Sequence, residues 1–186
     1  VLDVMKFVLA KDAPQIGDEL LFENPKNFMY RIPRDMRYSK NKTPYNPAFR
    51  AYLSPHKKDF LPLSYYIHIS HERCILETGA WPWETKQLNR LREYIAYNYE
   101  ELDAICAENG LMVFGEQLKR TPRGYDTDHP AAYWLRYKFW LTEYSFAPDD
   151  LRDLDVFAEA AGAAVRRFEP FRQFLMGAFD DRIYDE

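Results

Sequence analysis

The chain has little that would staple, anchor or export it. Two cysteines, Cys74 and Cys106, occur in 186 residues; they are too few for a disulfide framework and lack the C-x-x-C spacing of a structural zinc site. A reducing cytoplasm is the compartment this usage implies. No uninterrupted apolar run reaches the ~18 to 20 residues that span a bilayer. The opening VLDVMKFVLA carries Asp3 and Lys6 where a signal peptide needs an apolar core, so neither export nor a membrane anchor is expected. Also missing are a P-loop, a G-x-S-x-G elbow, an H-E-x-x-H pair and a dinucleotide fingerprint, so no motif announces a reaction and none calls for a cofactor. Internal repeats, low-complexity tracts and linkers are absent as well. Positive charge is not in excess: 25 Lys and Arg face 29 Asp and Glu, a net charge of -4. That balance argues against a general nucleic-acid or anionic-membrane binder. The acidity gathers at the C-terminal end, where residues 143–186 hold eleven acidic side chains against five arginines.

What is present is a chain long enough for one domain with a real core, residues 1–186, with 47% apolar residues. Val1, Val4, Met5, Val8 and Leu9 form a helical stripe, interrupted near Pro14 and resumed at Ile16, Leu20, Leu21 and Phe22. Phe28, Tyr30 and Ile32 then alternate with Met29 and Arg31, as do Phe49, Ala51 and Leu53 with Arg50 and Tyr52. Leu63, Tyr65, Ile67 and Ile69 alternate with Ser64, Tyr66, His68 and Ser70, and the run CILETGAW follows a short polar turn. These periods predict an antiparallel meander, in which Gly79 marks a bulge or a close approach.

From Trp81 the pattern becomes helical. Pro82 suits a first helical turn, Leu88, Leu91 and Ile95 give one apolar stripe, and Asn98 with Glu101 reads as the capped start of a second helix that Gly110 stops. Residues 137–146 resemble a further strand. A last helix carries Val156, Phe157, Ala160, Ala161, Ala164, Val165 and Phe168, with a break expected at Pro170. The expected fold is α+β: an antiparallel sheet of four to five strands, packed on one face by helices and open on the other.

Two stretches carry chemistry. In YRIPRDMRYSKNKTPY, residues 30–45, Arg31, Arg34, Arg37, Lys40 and Lys42 have only Asp35 to balance them. Such a cluster repels itself unless an anion, a carboxylate or water relieves it. Arginine forks together with Tyr38, Ser39 and Tyr45 hydroxyls suit phosphate or carboxylate oxygens, while the alternative is a solvated loop pinned by Asp35. If the strands pair as expected, Arg31, Arg50 and His68 share one polar face beside that loop. His68 and Asp35 are then the candidates for proton transfer, although His68 also reads as a plain cross-strand neighbour of Tyr66 and Ser70.

The second stretch, LKRTPRGYDTDHPAAYWLRYK, brings Lys119, Arg120 and Arg123 ahead of Asp126, Asp128 and His129. Asp-x-Asp-His contains suitable ligands for a divalent metal. The competing expectation is that Asp128 caps the following helix, and it is the one preferred, because adjacent residues of a capping turn seldom complete a coordination shell.

RDMRYSKNKTPY, YYIHI, GAWPWETKQLNRLR and LKRTPRGYDTDHPAAYWLRYK, in this order and spacing, resemble the family catalogued as domain of unknown function 2461, found in bacteria and fungi. The resemblance covers about residues 28–179. It places Arg34, Asp35, Arg37, Tyr38, Ser39, Lys40, Lys42, Pro44 and Tyr45 in a first family motif. Lys119, Arg120, Pro122, Gly124, Tyr125, Asp126, Asp128, His129 and Pro130 fall in a later one. The Asn-rich, aromatic segment with which members usually open has no counterpart at the start of this sequence. The resemblance implies an α+β fold and no particular reaction, cofactor or catalytic residue.

Two functions fit these residues. One is binding or processing of a small phosphate- or carboxylate-bearing ligand by Arg34, Arg37, Tyr38, Ser39, Lys40, Lys42, Tyr45, Lys119 and Arg120. The other is a non-catalytic module whose basic loop docks an acidic protein segment or a nucleic-acid backbone.

Overall fold

The computed structural model describes residues 1–33, 43–54, 64–82 and 84–179. Among these, five α-helices accompany one four-stranded antiparallel sheet, the α+β architecture expected from the sequence. The strands are β1 (Phe49–Leu53), β2 (Tyr65–Ile69), β3 (Cys74–Ala80) and β4 (Trp140–Ser145), in spatial order β1-β2-β3-β4. The chain divides into two compact units, one of Val1–Glu77 with Glu143–Arg166, the other of Thr78–Thr142 with Arg167–Glu186.

In the first unit, α1 (Leu2–Asp12) and α2 (Pro14–Leu20) meet at a corner where Pro14 opens the second helix. Proline suits that position because its missing N–H is one the first turn leaves unpaired anyway. Met5, Leu9 and Leu20 are fully buried, as are Leu53 and Tyr65 of the sheet. The periodicity of residues 28–32 does not become a strand. After a 3-10 turn at Pro25–Asn27, this stretch makes only isolated bridges, Met29 to Ala51 and Pro33 to Tyr45. β1 and β2 pair in the register Arg50↔His68 and Tyr52↔Tyr66. Ala51, Leu53, Tyr65 and Ile67 are buried, while Arg50, Tyr52, Tyr66 and His68 on the opposite face are half-buried. The alternation of the sequence is thus the alternation of two sheet faces.

The final helix, α5 (Leu154–Gly177), starts on Asp153, whose carboxylate accepts from the Asp155 and Val156 amides at 2.9 and 3.3 Å. It does not break at Pro170, which lies inside it. Proline there forfeits a helical hydrogen bond, a cost of about 3 kcal/mol. Phe168, Phe171, Phe174 and Leu175 around it are buried, and burying large apolar side chains contributes about 1.5–3 kcal/mol each, which outweighs that loss. Beside the proline, buried Arg172 clasps Glu169 with two hydrogen bonds of 2.8 and 2.6 Å.

In the second unit, α3 (Thr85–Glu108) starts later than Pro82 implied, with a capping box formed by Glu84 and Gln87. The expected boundary at Asn98 is where two helical segments of this span join across a kink, with φ -120° and ψ 24°. Asn98 does not cap a new helix; its side-chain amide donates back to the Tyr94 carbonyl at 2.8 Å. Gly110, at φ +59°, ends the helix as the sequence indicated, and Arg167 donates to the carbonyls of Asn109 and Gly110 at 3.1 and 2.9 Å. Gly79 has φ +137°, and a Cβ there would lie 2.1 Å from the Trp140 carbonyl oxygen, so the close approach read from the sequence is real. Buried Arg92 of α3 donates to the carbonyls of Leu135 and Tyr137 at 3.0 Å each, fixing the short α4 (Ala132–Leu135) against it.

Candidate functional site

The polar face of the sheet in the first unit gathers titratable groups of four strands. Arg50 and His68 are directly opposed across β1 and β2. The Tyr30 amide donates to the Arg50 carbonyl at 2.9 Å, which sets Tyr30 alongside, its ring centroid 5.3 Å from the Arg50 guanidinium carbon. The alternation of residues 28–32 assigned Arg31 to this face and Tyr30 to the core. The pairing sets Tyr30 on this face instead, with Arg31 exposed, because register follows the neighbouring strand and not the local pattern. Tyr30 meets Tyr66 edge-on at 6.3 Å, and the Tyr66 hydroxyl is 3.4 Å from His68 Nδ1. Arg50 Nε is buried and has no hydrogen-bond partner among the described residues.

A tight turn brings in the carboxylates. The Ser70 amide donates to the Arg73 carbonyl at 2.8 Å, while Ser70 Oγ accepts from the Glu72 and Arg73 amides at 3.3 and 3.0 Å. Extending the antiparallel pairing from this turn sets Tyr66 opposite Glu77. Extending it from the Phe146 amide, which donates to the Cys74 carbonyl, sets Glu143 opposite Glu77 on the other side. Arg73 is ion-paired with Glu143. Glu77 itself makes no hydrogen bond or ion pair among the described residues.

The electrostatics follow from this arrangement. Partial burial and, secondarily, the Glu143 carboxylate raise the Glu77 pKa to about 7, against a smaller lowering by Arg73. Burial, then Arg73 and Arg50, lower that of His68 below the ordinary imidazole value. Tyr66 is raised, mainly by burial. At neutral pH the face therefore holds an uncharged imidazole beside a guanidinium and a carboxyl that can release or take a proton, groups suited to anion binding and to acid-base transfer.

The residues singled out from the sequence are distributed unevenly. Arg34, Asp35, Arg37, Tyr38, Ser39, Lys40 and Lys42 lie outside the described residues. Their flanks are held together: Pro33 bridges Tyr45, and the Asn46 amide donates to the Ile32 carbonyl at 2.8 Å. Tyr45 is exposed. Lys119 and Arg120 are exposed residues of the second unit. Asp126 and Asp128 are exposed too, and no group of three His, Cys, Asp or Glu able to hold a metal occurs among the described residues. Asp128 makes no capping bond to α4, and neither does any other side chain; in the turn ahead of the helix His129 Nδ1 accepts from the Ala131 amide at 3.0 Å. The imidazole reaches two residues on, whereas the Asp128 side chain faces solvent.

Glu77, Arg73 and Glu143 were not identified from the sequence. A signal for Glu77 was there: it is the one charged side chain in CILETGA, an otherwise apolar and small-residue strand. Glu143 and Arg73 carry no such mark, since each is a charged residue at a strand or turn where charge is ordinary.

The family model described as "Conserved hypothetical protein (DUF2461)" matches residues 4–174. No curated protein and no solved structure matches the chain significantly. The match includes both N-terminal helices as well as the sheet, so it starts well ahead of residue 28. With nearly its whole length inside that match, the chain belongs to the DUF2461 family of conserved hypothetical proteins.

Proposed function

We propose that the polar sheet face of the first unit binds a small ligand bearing a phosphate or carboxylate, with Arg50 as its cationic contact and His68 and Glu77 as the groups that exchange protons with it. The observation that carries this reading is Arg50: a half-buried guanidinium with an unpartnered Nε, opposed to His68 and without a carboxylate partner among the described residues. A buried donor left unsatisfied costs about 1–3 kcal/mol, which a bound oxyanion would recover. Arg34, Arg37, Tyr38, Ser39, Lys40, Lys42 and Tyr45 join the ligand from the segment flanked by the Pro33–Tyr45 bridge, and Asp35 is a further proton-transfer candidate.

Thermal unfolding against a panel of phosphates and carboxylates tests this. A ligand at a hundred times its Kd adds about 2.7 kcal/mol, or roughly 5–11 °C at this chain length. The shift should disappear in Arg50→Ala. If none of the anions moves the transition of the folded wild-type chain, the reading fails and a docking module for an acidic segment takes its place.

A further inference from the structure

We propose that the anion taken by this face also carries a protonated amine, with Glu77 as the ammonium's partner; this rests on the anion reading above. The charges on the face sum to zero, but only two of the four are paired with each other. Arg73 is committed to Glu143 by its ion pair. That leaves Arg50 and Glu77, of opposite sign, and no ion pair joins them. They are on strands separated by β2, whose backbones lie about 10 Å apart. Two opposite charges held apart on one surface match a ligand with the complementary pair.

An anion without an amine would satisfy Arg50 and leave Glu77 unpaired. It would also add repulsion, since Glu77 already faces the Glu143 carboxylate from β4. An ammonium removes that difficulty. Its charge completes Glu77 as Arg73 completes Glu143, and the half-buried Tyr66 ring lies between β1 and β3 where a cation can rest against it. The groups facing Glu77 are Tyr66 from β2, Glu143 from β4 and Arg73 from the turn. Among the described residues only Arg73 is cationic there, and it is already engaged. A metal ion is the weaker alternative for this place, because no three potential ligands are grouped among the described residues. The elevated pKa of Glu77 adds a signature: binding an ammonium stabilises the carboxylate, so a fraction of a proton leaves when the ligand binds near pH 7.

Calorimetric titration of the whole chain with O-phosphoethanolamine and with ethyl phosphate, which differ by the ammonium group, tests the inference. Phosphoethanolamine should bind about tenfold tighter or more. Its apparent enthalpy should vary with the ionisation enthalpy of the buffer, reporting proton release. Glu77→Gln should bring the two affinities together without abolishing binding, whereas Arg50→Ala should abolish both. Equal affinities in the wild type, with binding still dependent on Arg50, would overturn the amine inference and leave the anion reading intact. Binding of neither compound would overturn both.

Discussion

Replacing Glu77 with Gln converts an awkward electrostatic position into a measurable pH dependence. The folded-state pKa of Glu77 is about 7, against an ordinary 4.5. Below pH 4.5 both folded and unfolded chains hold the proton and Glu77 contributes no pH dependence. As pH rises from 4.5 to 7 the unfolded chain gives up the proton while the folded chain keeps it, so stability falls across that window. Above pH 7 both forms are ionised and the penalty is constant. Each unit of separation is worth about 1.4 kcal/mol, and with a discount for the partly solvated side chain the full penalty is about 2–3 kcal/mol. Gln has nearly the shape of the protonated carboxyl and does not titrate. The variant should therefore match the wild type near pH 4.5 and exceed it by about 2–3 kcal/mol at pH 8.5, roughly 4–12 °C in Tm. Denaturation of both proteins by heat and by urea at the two pH values measures this. If the variant is no more stable at pH 8.5 than at pH 4.5, relative to wild type, the account of Glu77 as a carboxyl strained by burial and by Glu143 is wrong.

Other positions give independent checks. Arg172→Ala takes the guanidinium from the buried Glu169 carboxylate, which keeps the Gln173 amide at 3.1 Å, and should cost about 3–5 kcal/mol in urea denaturation. Gly79→Ala should cost at least 2–3 kcal/mol or prevent folding, because its Cβ would meet the Trp140 carbonyl oxygen at 2.1 Å and its φ is +137°; native-like stability of this variant would refute the close approach. His129→Ala removes the acceptor for the Ala131 amide and should lower stability by about 1 kcal/mol, with no change in the response to added divalent metals. A metal-dependent rise in Tm lost in that variant would restore the ligand reading of Asp126, Asp128 and His129.

The sheet was legible because two of its strands alternate cleanly: in β1 and β2 every second residue had to face the same way. Helix punctuation was less so. Pro170 and Asn98 each mark a local preference; packing overrode the first, and the second set a kink where a boundary was expected but no cap. Neither outcome is encoded within a few residues of the site where it occurs. Arg50 and His68 could be placed on one face from periodicity alone, but the position of Tyr30 beside them depended on the register of an isolated bridge. Glu77 gained its meaning from Glu143, 66 positions later, and that distance in sequence is why no motif shows it.

The cysteines that set aside a disulfide framework have a practical use. Cys74 is buried and Cys106 half-buried, and burial raises both thiols to a pKa of about 11. At pH 7 only about one molecule in ten thousand presents a thiolate at either position, so alkylating reagents should pass over the native protein. Unfolding restores ordinary thiol acidity and access together. The rate at which the chain takes up a maleimide or iodoacetamide label then becomes a clock for its opening, with Cys74 timing β3 and Cys106 timing the second half of α3, and no probe has to be introduced.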